Sequence, residues 1–458
     1  MTATTPVQTP RPTAPSLWRH PDFLKLWVGD TISQFGSQIT FLAIPLTAAV
    51  LLGATPFEMG LLGTIEMLPF LLISLPAGVW VDRLPRRRIL ISGDLVRAVA
   101  LGTIPGVWFM RPELLGMPWL YVVAIVGGTA TVFFDAAYQA YLPSLVERDQ
   151  LIEGNQKLEL SRSTAQLTGP GIAGALISFL SAPVTIAVDS VSFLVSAAAV
   201  WLIRKPEPAP EPKPAGHAGG MLAEIREGLG VVTGSPILRS IAACTATSNL
   251  STSIAFAAFF IFLTRDLALD AARIGVIFAI GNVGGLVGAL IAGRVPKLIG
   301  TGPAIVGSAI FGTAFLWLNA AATRETAFAI LVFTGLTTQI GNQVYNVNQV
   351  SLRQAITPDR LQGRMNASMR FIVWGTIPIG TFLGGVLAEL IGVRQAIFVG
   401  SLMALTAFLF VFFSPVRRMK EPPPAWQPGM PEDAAIRPGE DPTSRSAPPR
   451  EPSGGPLD

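Results

Sequence analysis

The chain is poor in the residue types that most catalytic and metal sites need, with one cysteine and two histidines in 458 residues. A single thiol, Cys244, excludes an internal disulfide framework and a cysteine metal site. His20 and His217 both lie outside the apolar segments, which excludes a histidine proton relay within a membrane. The glycine-rich loop that holds ATP phosphates is also missing. We therefore expect no cofactor, and any energy-requiring process of this chain would have to draw on an ion gradient or on the gradient of its own substrate.

Long apolar segments dominate the sequence, since 50% of the residues are hydrophobic, only 14% are charged and the mean hydropathy is +0.52. About 20 apolar residues cross the hydrocarbon core of a bilayer. Twelve segments meet this requirement, which predicts an all-α membrane protein with twelve transmembrane helices. They lie near residues 23–51, 57–81, 88–110, 117–142, 158–180, 184–203, 237–263, 272–293, 302–321, 326–350, 370–391 and 395–414.

Lysine and arginine are distributed unevenly between the predicted loops. With the N-terminus in the cytoplasm, 26 of the 33 basic residues fall on the cytoplasmic side and 5 on the other. Loops that remain in the cytoplasm carry this excess of positive charge. We therefore predict a multi-pass protein of the bacterial plasma (inner) membrane with both termini cytoplasmic. The net charge of +4 follows from this topology and does not indicate a nucleic-acid partner.

A proline-rich stretch at 204–220 divides the predicted spans into six and six. Four residues of the first half recur 210 positions later, which indicates an internal duplication: Gln139, Asp149, Leu151 and Gly174 return as Gln349, Asp359, Leu361 and Gly384. We predict two pseudo-symmetric six-helix bundles around a midplane cavity. The expected organisation is a cytoplasmic segment 1–22, a bundle 23–203, a linker 204–236 with a short amphipathic helix, a bundle 237–416 and a disordered tail 417–458.

A charged loop separates the second and third predicted spans. It holds Gly78, Asp82, Arg83, Arg86, Arg87 and Arg88 in the spacing G-x-x-x-D-R-x-x-R-R-R. This spacing resembles the signature of the major facilitator superfamily. The resemblance implies a gating loop, in which the acid of Asp82 meets the N-terminus of helix 11 when the cytoplasmic side closes. A carboxylate at a helix N-terminus gains roughly 0.3–1 kcal/mol. The alternative is a charged loop that only sets topology.

Three further motifs resemble the branch of that superfamily that contains the enterobactin exporter, macrolide-efflux proteins and other drug pumps. They are Phe23-x-x-Leu26-Trp27-x-Gly29-Asp30-x-x-Ser33-x-x-Gly36, Asp94-Leu95-x-Arg97-Ala98 and Gly363-Arg364. In the fifth span, Gly169, Pro170 and Gly174 resemble the antiporter motif of exporters. The alternative for this segment is a tightly packed membrane helix without a role in direction.

Polar residues recur at steps of three and four along predicted helices 1, 4, 7 and 10, which line the central cavity in the superfamily that the chain resembles. Polar groups that face lipid are costly, so these stripes favour a wet cavity. The alternative is that they hydrogen-bond neighbouring helices together. Including three aromatic residues that could form a wall, the substrate-cavity candidates are Ser33, Gln34, Ser37, Phe134, Tyr138, Gln139, Ser248, Asn249, Gln339, Asn342, Asn346 and Trp374.

Asp30, Glu66 and Asp135 are the candidates for proton coupling, because each is a carboxylate within a predicted span. Asp30 and Glu66 could lie at similar depth on adjacent helices, where burial and mutual repulsion would make one of them a proton carrier whose protonation alternates with substrate binding. The alternatives are an interfacial helix cap for Asp30 and an ion pair with an arginine for Glu66 or Asp135. Asp94 and Arg97 are three residues apart and are predicted to form a structural ion pair on helix 3.

These features together predict a secondary active transporter and not an enzyme. We expect proton-coupled export (antiport) of a hydrophobic or amphipathic small molecule, such as a drug, an antibiotic or a siderophore, by alternating access. The expected partners are this substrate and membrane lipids, without nucleic acid, and the expected state is a monomer. Two alternatives stay open: a proton-symport importer of the same fold, and a membrane receptor or scaffold that transports nothing.

Overall fold

The computed structural model describes residues 16–81, 83–207 and 220–421, and all regular structure within these ranges is helical. The longer helices are α1 (Pro21–Leu46), α2 (Pro56–Val81), α3 (Arg86–Met110), α4 (Met117–Leu145), α5 (Leu151–Leu180), α6 (Ala182–Trp201), α7 (Gly220–Gly234), α8 (Pro236–Phe256), α9 (Ala271–Ala292), α10 (Thr301–Thr313), α11 (Ala327–Ile356), α12 (Asp359–Ile391) and α13 (Val393–Thr406). Four shorter helices cover Phe259–Ile261, Val295–Ile299, Leu318–Ala321 and Phe408–Phe412.

Ten helical segments in the described part of the chain are long and apolar enough to cross a membrane. α5 and α11 are not among them, although each has 30 residues. Their composition explains this result, since α5 begins with several charged residues and α11 carries a series of amides. The chain is thus an all-α, multi-pass membrane protein, while the count of twelve transmembrane helices stays a prediction.

The start of α1 decides the role of Asp30. His20 caps the helix, because its Nδ1 atom accepts a hydrogen bond from the Phe23 N–H at 3.0 Å, and Pro21 occupies the first helical position. Proline fits there because its missing N–H would have no partner inside the helix. Asp30 therefore lies in the middle of α1 and cannot be a helix cap, which corrects that alternative.

The described chain divides into two compact units. Among the described residues, the first contains 16–81, 83–207 and Phe260–Ala279, and the second contains 220–259 and 280–421. In the first unit, α1 packs closely on α6 because Gly29 and Gly36 have no side chain. A Cβ atom at Gly29 would lie 2.9 Å from the Cβ of Ala199. These glycines of the α1 motif thus have a packing role.

The same pair of contacts recurs inside each unit. In the first unit, α5 meets α1 where Gly169 packs on the side chain of Gln38. In the second unit, α12 meets α8 where Gly384 packs on the backbone of Ile254. The two glycines are 215 residues apart, so the packing aligns Gly384 with Gly169 and not with Gly174, its match at 210 positions in the sequence. The packing therefore follows the internal repeat.

The ends of the first helix of each half are also alike. Helix α1 continues into a π-helical turn at Thr47–Leu51, and the α8 segment ends in another at Phe262–Asp266. A residue with positive φ follows each turn, Gly53 at 67° and Ala268 at 53°. Turns and left-handed residues are both displaced by 215 positions. The same displacement relates Gly60, Ala77 and Gly78 to Gly275, Ala292 and Gly293 in the sequence.

One side chain distinguishes the two turns. Arg265, in the second turn, donates hydrogen bonds from its guanidinium to the carbonyls of Ala49 and Ala54, at 2.9 and 2.8 Å. The corresponding position of the first turn holds Val50. The duplicated ends therefore share a backbone geometry, while only one of them supplies a cation.

The left-handed residues give a reciprocal test of the repeat. Alanine in this conformation costs roughly 1–2 kcal/mol, whereas glycine adopts it freely. We expect Ala268→Gly to raise the free energy of unfolding by about 1 kcal/mol and Gly53→Ala to lower it by a similar amount. A Cβ at Gly53 would meet no neighbouring atom, so the effect there is purely conformational.

Chemical denaturation of the purified protein in detergent measures both changes. Ala257→Gly, at the C-cap of α8 where φ is −51°, is the matched control and should be destabilising. A loss of stability in Ala268→Gly as large as in this control would contradict the assignment.

Candidate functional site

Arg97 lies in the interior of the first unit, with 7% of its surface exposed. Its guanidinium donates to Oδ1 of Asp94 at 2.5 Å, so the ion pair predicted on helix 3 is formed. The guanidinium carbon also lies 4.0 and 4.2 Å from the ring centres of Phe134 and Phe193. Cations bind favourably over aromatic faces, and more so away from water. The pair is therefore held between two rings in the core of the bundle.

Asp189 on α6 is a second buried carboxylate of this region, with 1% of its surface exposed. It accepts hydrogen bonds from the Thr40 hydroxyl and, at 2.9 Å, from the Ser192 hydroxyl. The charges of Arg97 and Asp94 act on it. Sequence analysis missed Asp189, since it stands alone in an apolar segment and forms no spacing pattern. Its presence as the single carboxylate of the sixth span was the available signal.

Asp30 is 5% exposed and has polar neighbours on three helices. Gln34 donates to its Oδ1 atom at 3.4 Å, and the Tyr138 hydroxyl of α4 lies beside its carboxyl group. The positive charge of Arg162 on α5 and the negative charge of Asp94 also act on it. The structure thus brings together three of the predicted site residues, Asp30, Gln34 and Tyr138.

The other two predicted carboxylates have different surroundings. Asp135 on α4 is half-buried, and its charge acts on Arg97. Glu66 retains accessible surface but its carboxyl group is densely surrounded by protein atoms, and its backbone carbonyl packs on Gly128 of α4. The groups that act on Asp30 include Asp94 and Arg162. That Asp30 or Glu66 carries the coupled proton stays a prediction.

The cavity candidates differ in exposure. Gln139, Asn342, Asn346 and Trp374 are exposed, and Gln34, Ser37, Tyr138, Ser248, Asn249 and Gln339 are half-buried. Ser33 and Phe134 are buried. Phe134 stacks on Tyr138 with ring centres 5.8 Å apart and covers Arg97, within the hydrophobic core of the first unit. This corrects the assignment of Phe134 to an open aromatic wall.

Several amides of the second unit join helices within that unit. Asn249 of α8 donates to the Val373 carbonyl of α12 at 3.1 Å, and Gln339 of α11 donates to Asn282 of α9 at 3.3 Å. These bonds fit the alternative reading, in which polar residues connect helices. Trp374 has different surroundings. Its ring is exposed, and the guanidinium carbon of Arg370, on the same helix, lies 4.6 Å from the ring centre.

The charged loop between α2 and α3 is attached to the start of the linker. Glu207 accepts hydrogen bonds from the backbone N–H groups of Arg86 and Arg87, at 2.8 and 3.1 Å. It thereby neutralises the N-terminus of α3, where the helix dipole favours an anion. The Arg87 side chain also donates to the carbonyl of Trp201.

The predicted loop residues occupy different parts of this connection. Gly78 lies in the last turn of α2 and Arg83 is exposed, whereas Asp82 lies outside the described residues. Glu207 was not predicted, because its proline-rich surroundings gave no structural signal.

The antiporter-like segment of α5 is a close-packing site. Pro170 lies within the helix, and a Cβ at Gly275 of α9 would lie 2.9 Å from the Cα of Gly174. Gly169 allows the approach to α1 described above. Small residues permit such contacts between membrane helices. The packing role of the segment is therefore established by the geometry, while its link to transport direction stays a prediction.

The helical fold, its membrane-length spans and the charged groups within them define the class of multi-pass membrane transporters. Residues 12–435 match the family described as transmembrane secretion effector. The chain belongs to this family, which is a branch of the major facilitator superfamily of secondary transporters.

Similar proteins include efflux proteins of several bacteria. The chain is 25% identical to the multidrug efflux pump Tap of Mycolicibacterium fortuitum over 84% of its own length and 93% of the relative. It is 22% identical to macrolide efflux protein A of Streptococcus pyogenes, covering 87% of this chain and 97% of the relative. The enterobactin exporter of Citrobacter koseri is also 22% identical, with 88% and 95% coverage.

Solved transporter structures share the fold. A bacterial homologue of the iron transporter ferroportin, in an inward-facing state, matches with a TM-score of 0.71 and 16% identity over 87% of this chain and 99% of that chain. A bacterial homologue of the lysosomal transporter Spinster, inward-facing and unoccupied, gives a TM-score of 0.65 and 15% identity over 91% and 100%. At these identities the likeness concerns the fold alone.

Arg97 gives a direct test of the buried charge network. Removing one partner of a buried ion pair costs about 3–5 kcal/mol, since the other charge is left uncompensated. We expect Arg97→Met to lower the free energy of unfolding by about that amount. Arg97→Met combined with Asp94→Asn should recover part of the loss.

Denaturation in detergent measures these stabilities. Arg111→Met is the matched control, because Arg111 lies at the exposed end of the same helix. Equal stability of the Arg97 and Arg111 variants would show that the buried network contributes nothing.

Proposed function

We propose that this chain exports a hydrophobic or amphipathic small molecule across the bacterial plasma membrane in exchange for protons. The observation that carries the proposal is Asp30, a buried carboxylate in the middle of α1. A carboxyl group in this position can bind and release a proton, provided that its surroundings alternate between two states. Gln34 and Tyr138 supply neutral polar neighbours, and Arg162 supplies a positive charge.

The substrate class is proposed from the relatives. Their names give multiple drugs, macrolides and the siderophore enterobactin as exported compounds, and each relative is covered over most of its length. The exposed aromatic ring of Trp374 and the exposed amides of α11 would provide apolar and polar contacts to such molecules. Aromatic side chains combine a large apolar face with a defined geometry, which suits amphipathic compounds.

The orientation and gating belong to the same proposal. Both termini would lie in the cytoplasm, because basic residues are concentrated in the loops of that side. Asp82 and the neighbouring arginines would then close the cytoplasmic side during each cycle. Transport requires neither a cofactor nor a second copy of the chain in this scheme.

Asp30→Asn tests the proposal, since the amide keeps the shape of the side chain but cannot exchange a proton. Everted membrane vesicles would be energised to pump protons inward, and ethidium or erythromycin would be added to the outside medium. We expect the wild type to accumulate one of these compounds, and the variant to accumulate no more than vesicles without the protein. Glu113→Gln, an exposed carboxylate in the α3–α4 connection, is the matched control and should transport normally.

The direction of flux separates the alternatives. Higher accumulation in intact cells that express the wild type would identify an importer. Full proton-driven uptake by the Asp30→Asn vesicles would overturn the coupling role of this carboxylate. If neither compound moves and expression changes tolerance to no drug or siderophore, a receptor or scaffold would be favoured.

A further inference from the structure

A second buried acidic site lies on the side of α1 that packs on α6. It is formed by Asp189, Thr40 and Ser192, and it lies directly behind Gly36 of α1. A Cβ at Gly36 would overlap the Asp189 carboxylate and the Ser192 hydroxyl. Glycine is therefore required at position 36 for the acid to occupy the seam between the helices.

The charges around this site do not balance. The Arg97 guanidinium is acted on by three carboxylates, those of Asp94, Asp135 and Asp189.

The helices packed around Asp189 carry further charges. On α1, Asp22 and Lys25 form an ion pair at 2.8 Å near the start of the helix, and Asp30 has the neighbours described above. The first turn of α3 holds three further arginines, Arg86, Arg87 and Arg88, at the end of the bundle. On α5, which also touches α6, the charged residues are Glu153, Lys157, Glu159 and Arg162.

A buried carboxylate without a compensating cation is strongly unfavourable. One guanidinium can compensate one negative charge, so Asp94 and Asp189 cannot both remain ionised at low cost. A proton on one of them restores balance in a region from which water is excluded. The unequal number of buried acids and bases therefore favours a proton on the carboxyl group of either Asp94 or Asp189.

The ion pair on α3 also has unused hydrogen-bonding capacity. Nε of Arg97 is buried and has no hydrogen-bond partner, and Oδ2 of Asp94 has none of normal geometry, although Ser196 is a polar neighbour of the Asp94 carboxyl group. Arginine has five N–H donors, and a buried donor without an acceptor is costly. Arg97 therefore has donors available for a second carboxylate, and Asp189 is one of the groups that act on it.

We propose that Asp189 is a proton-binding site of the first unit, separate from the substrate-binding surface. In the protonated form the Asp189 O–H donates to the Thr40 hydroxyl oxygen, and Arg97 pairs with Asp94. Release of the proton leaves a carboxylate, which accepts from Thr40 and Ser192 and shares Arg97 with Asp94. The step transfers only a proton, and no electrons or other groups move.

This inference rests on the proposed function and extends it by giving the coupled proton a second location. Asp94 acts electrostatically on both Asp30 and Asp189, so it links the two sites. Thr40 follows Asp30 by ten residues on the same helix, which corresponds to about 15 Å at 1.5 Å per residue. A proton taken up at one site and released at the other would therefore change the charge at two places along α1, one beside α4 and α5 and one in the contact with α6.

Infrared difference spectroscopy between acidic and alkaline pH detects carboxyl groups that change protonation, and it needs no substrate. The full-length protein in lipid should show a carboxylic-acid C=O band that disappears in Asp189→Asn. Thr40→Val should shift this band without removing it, since the carboxyl group stays but loses its hydroxyl partner. Glu113→Gln, which replaces an exposed carboxylate, should leave the band unchanged.

Thr40→Val also provides the test if Asp189→Asn fails to fold. An unshifted band in Thr40→Val, or a folded Asp189→Asn that keeps every buried-acid band of the wild type, would overturn the proposal, whereas a band from Asp30 is expected to remain. Failure of the proposed function is a separate result: the wild type would then show no proton-driven flux of ethidium or erythromycin, whatever the spectra show. Where that flux is present, we expect Asp189→Asn to abolish accumulation against a gradient while downhill movement of the same compound continues.

Discussion

The electrostatics of the N-terminal bundle depend on one guanidinium in an apolar interior. Arg97 is enclosed by two phenylalanine rings and bonded to Asp94, and two further carboxylates act on it. Charges are expensive in such surroundings unless they are compensated, so the protonation of each acid depends on the position of this one cation. A bundle with an equal number of buried acids and bases would lack this dependence.

Backbone packing makes the arrangement possible. Gly29 and Gly36 allow α1 to lie against α6, which places Thr40 on Asp189 while Asp30 stays beside α4 and α5. Helix α1 thus carries one acidic group, Asp30, and contacts a second one, Asp189 of α6. Changes in charge at either group act on the same rigid element, and α1 is therefore the part of the bundle through which the two would influence each other.

The sequence predicted these features unequally, for physical reasons. The helical membrane fold followed from hydropathy, and the Asp94–Arg97 pair followed from a spacing that places both side chains on one helix face. Asp189 gave no such spacing, since it is the single carboxylate of an apolar segment. Phe134 was misplaced because periodicity identifies a helix face without identifying the neighbour that covers it.

The arginine of the second π-helical turn has a genetic consequence. Arg265 donates to the carbonyls of Ala49 and Ala54, and these acceptors belong to the backbone. No substitution at positions 49 or 54 removes a main-chain oxygen, and only a change of backbone path would displace it. A single substitution can therefore remove these hydrogen bonds directly only at residue 265. Substitutions at residues 49 and 54 leave the accepting carbonyl groups in place.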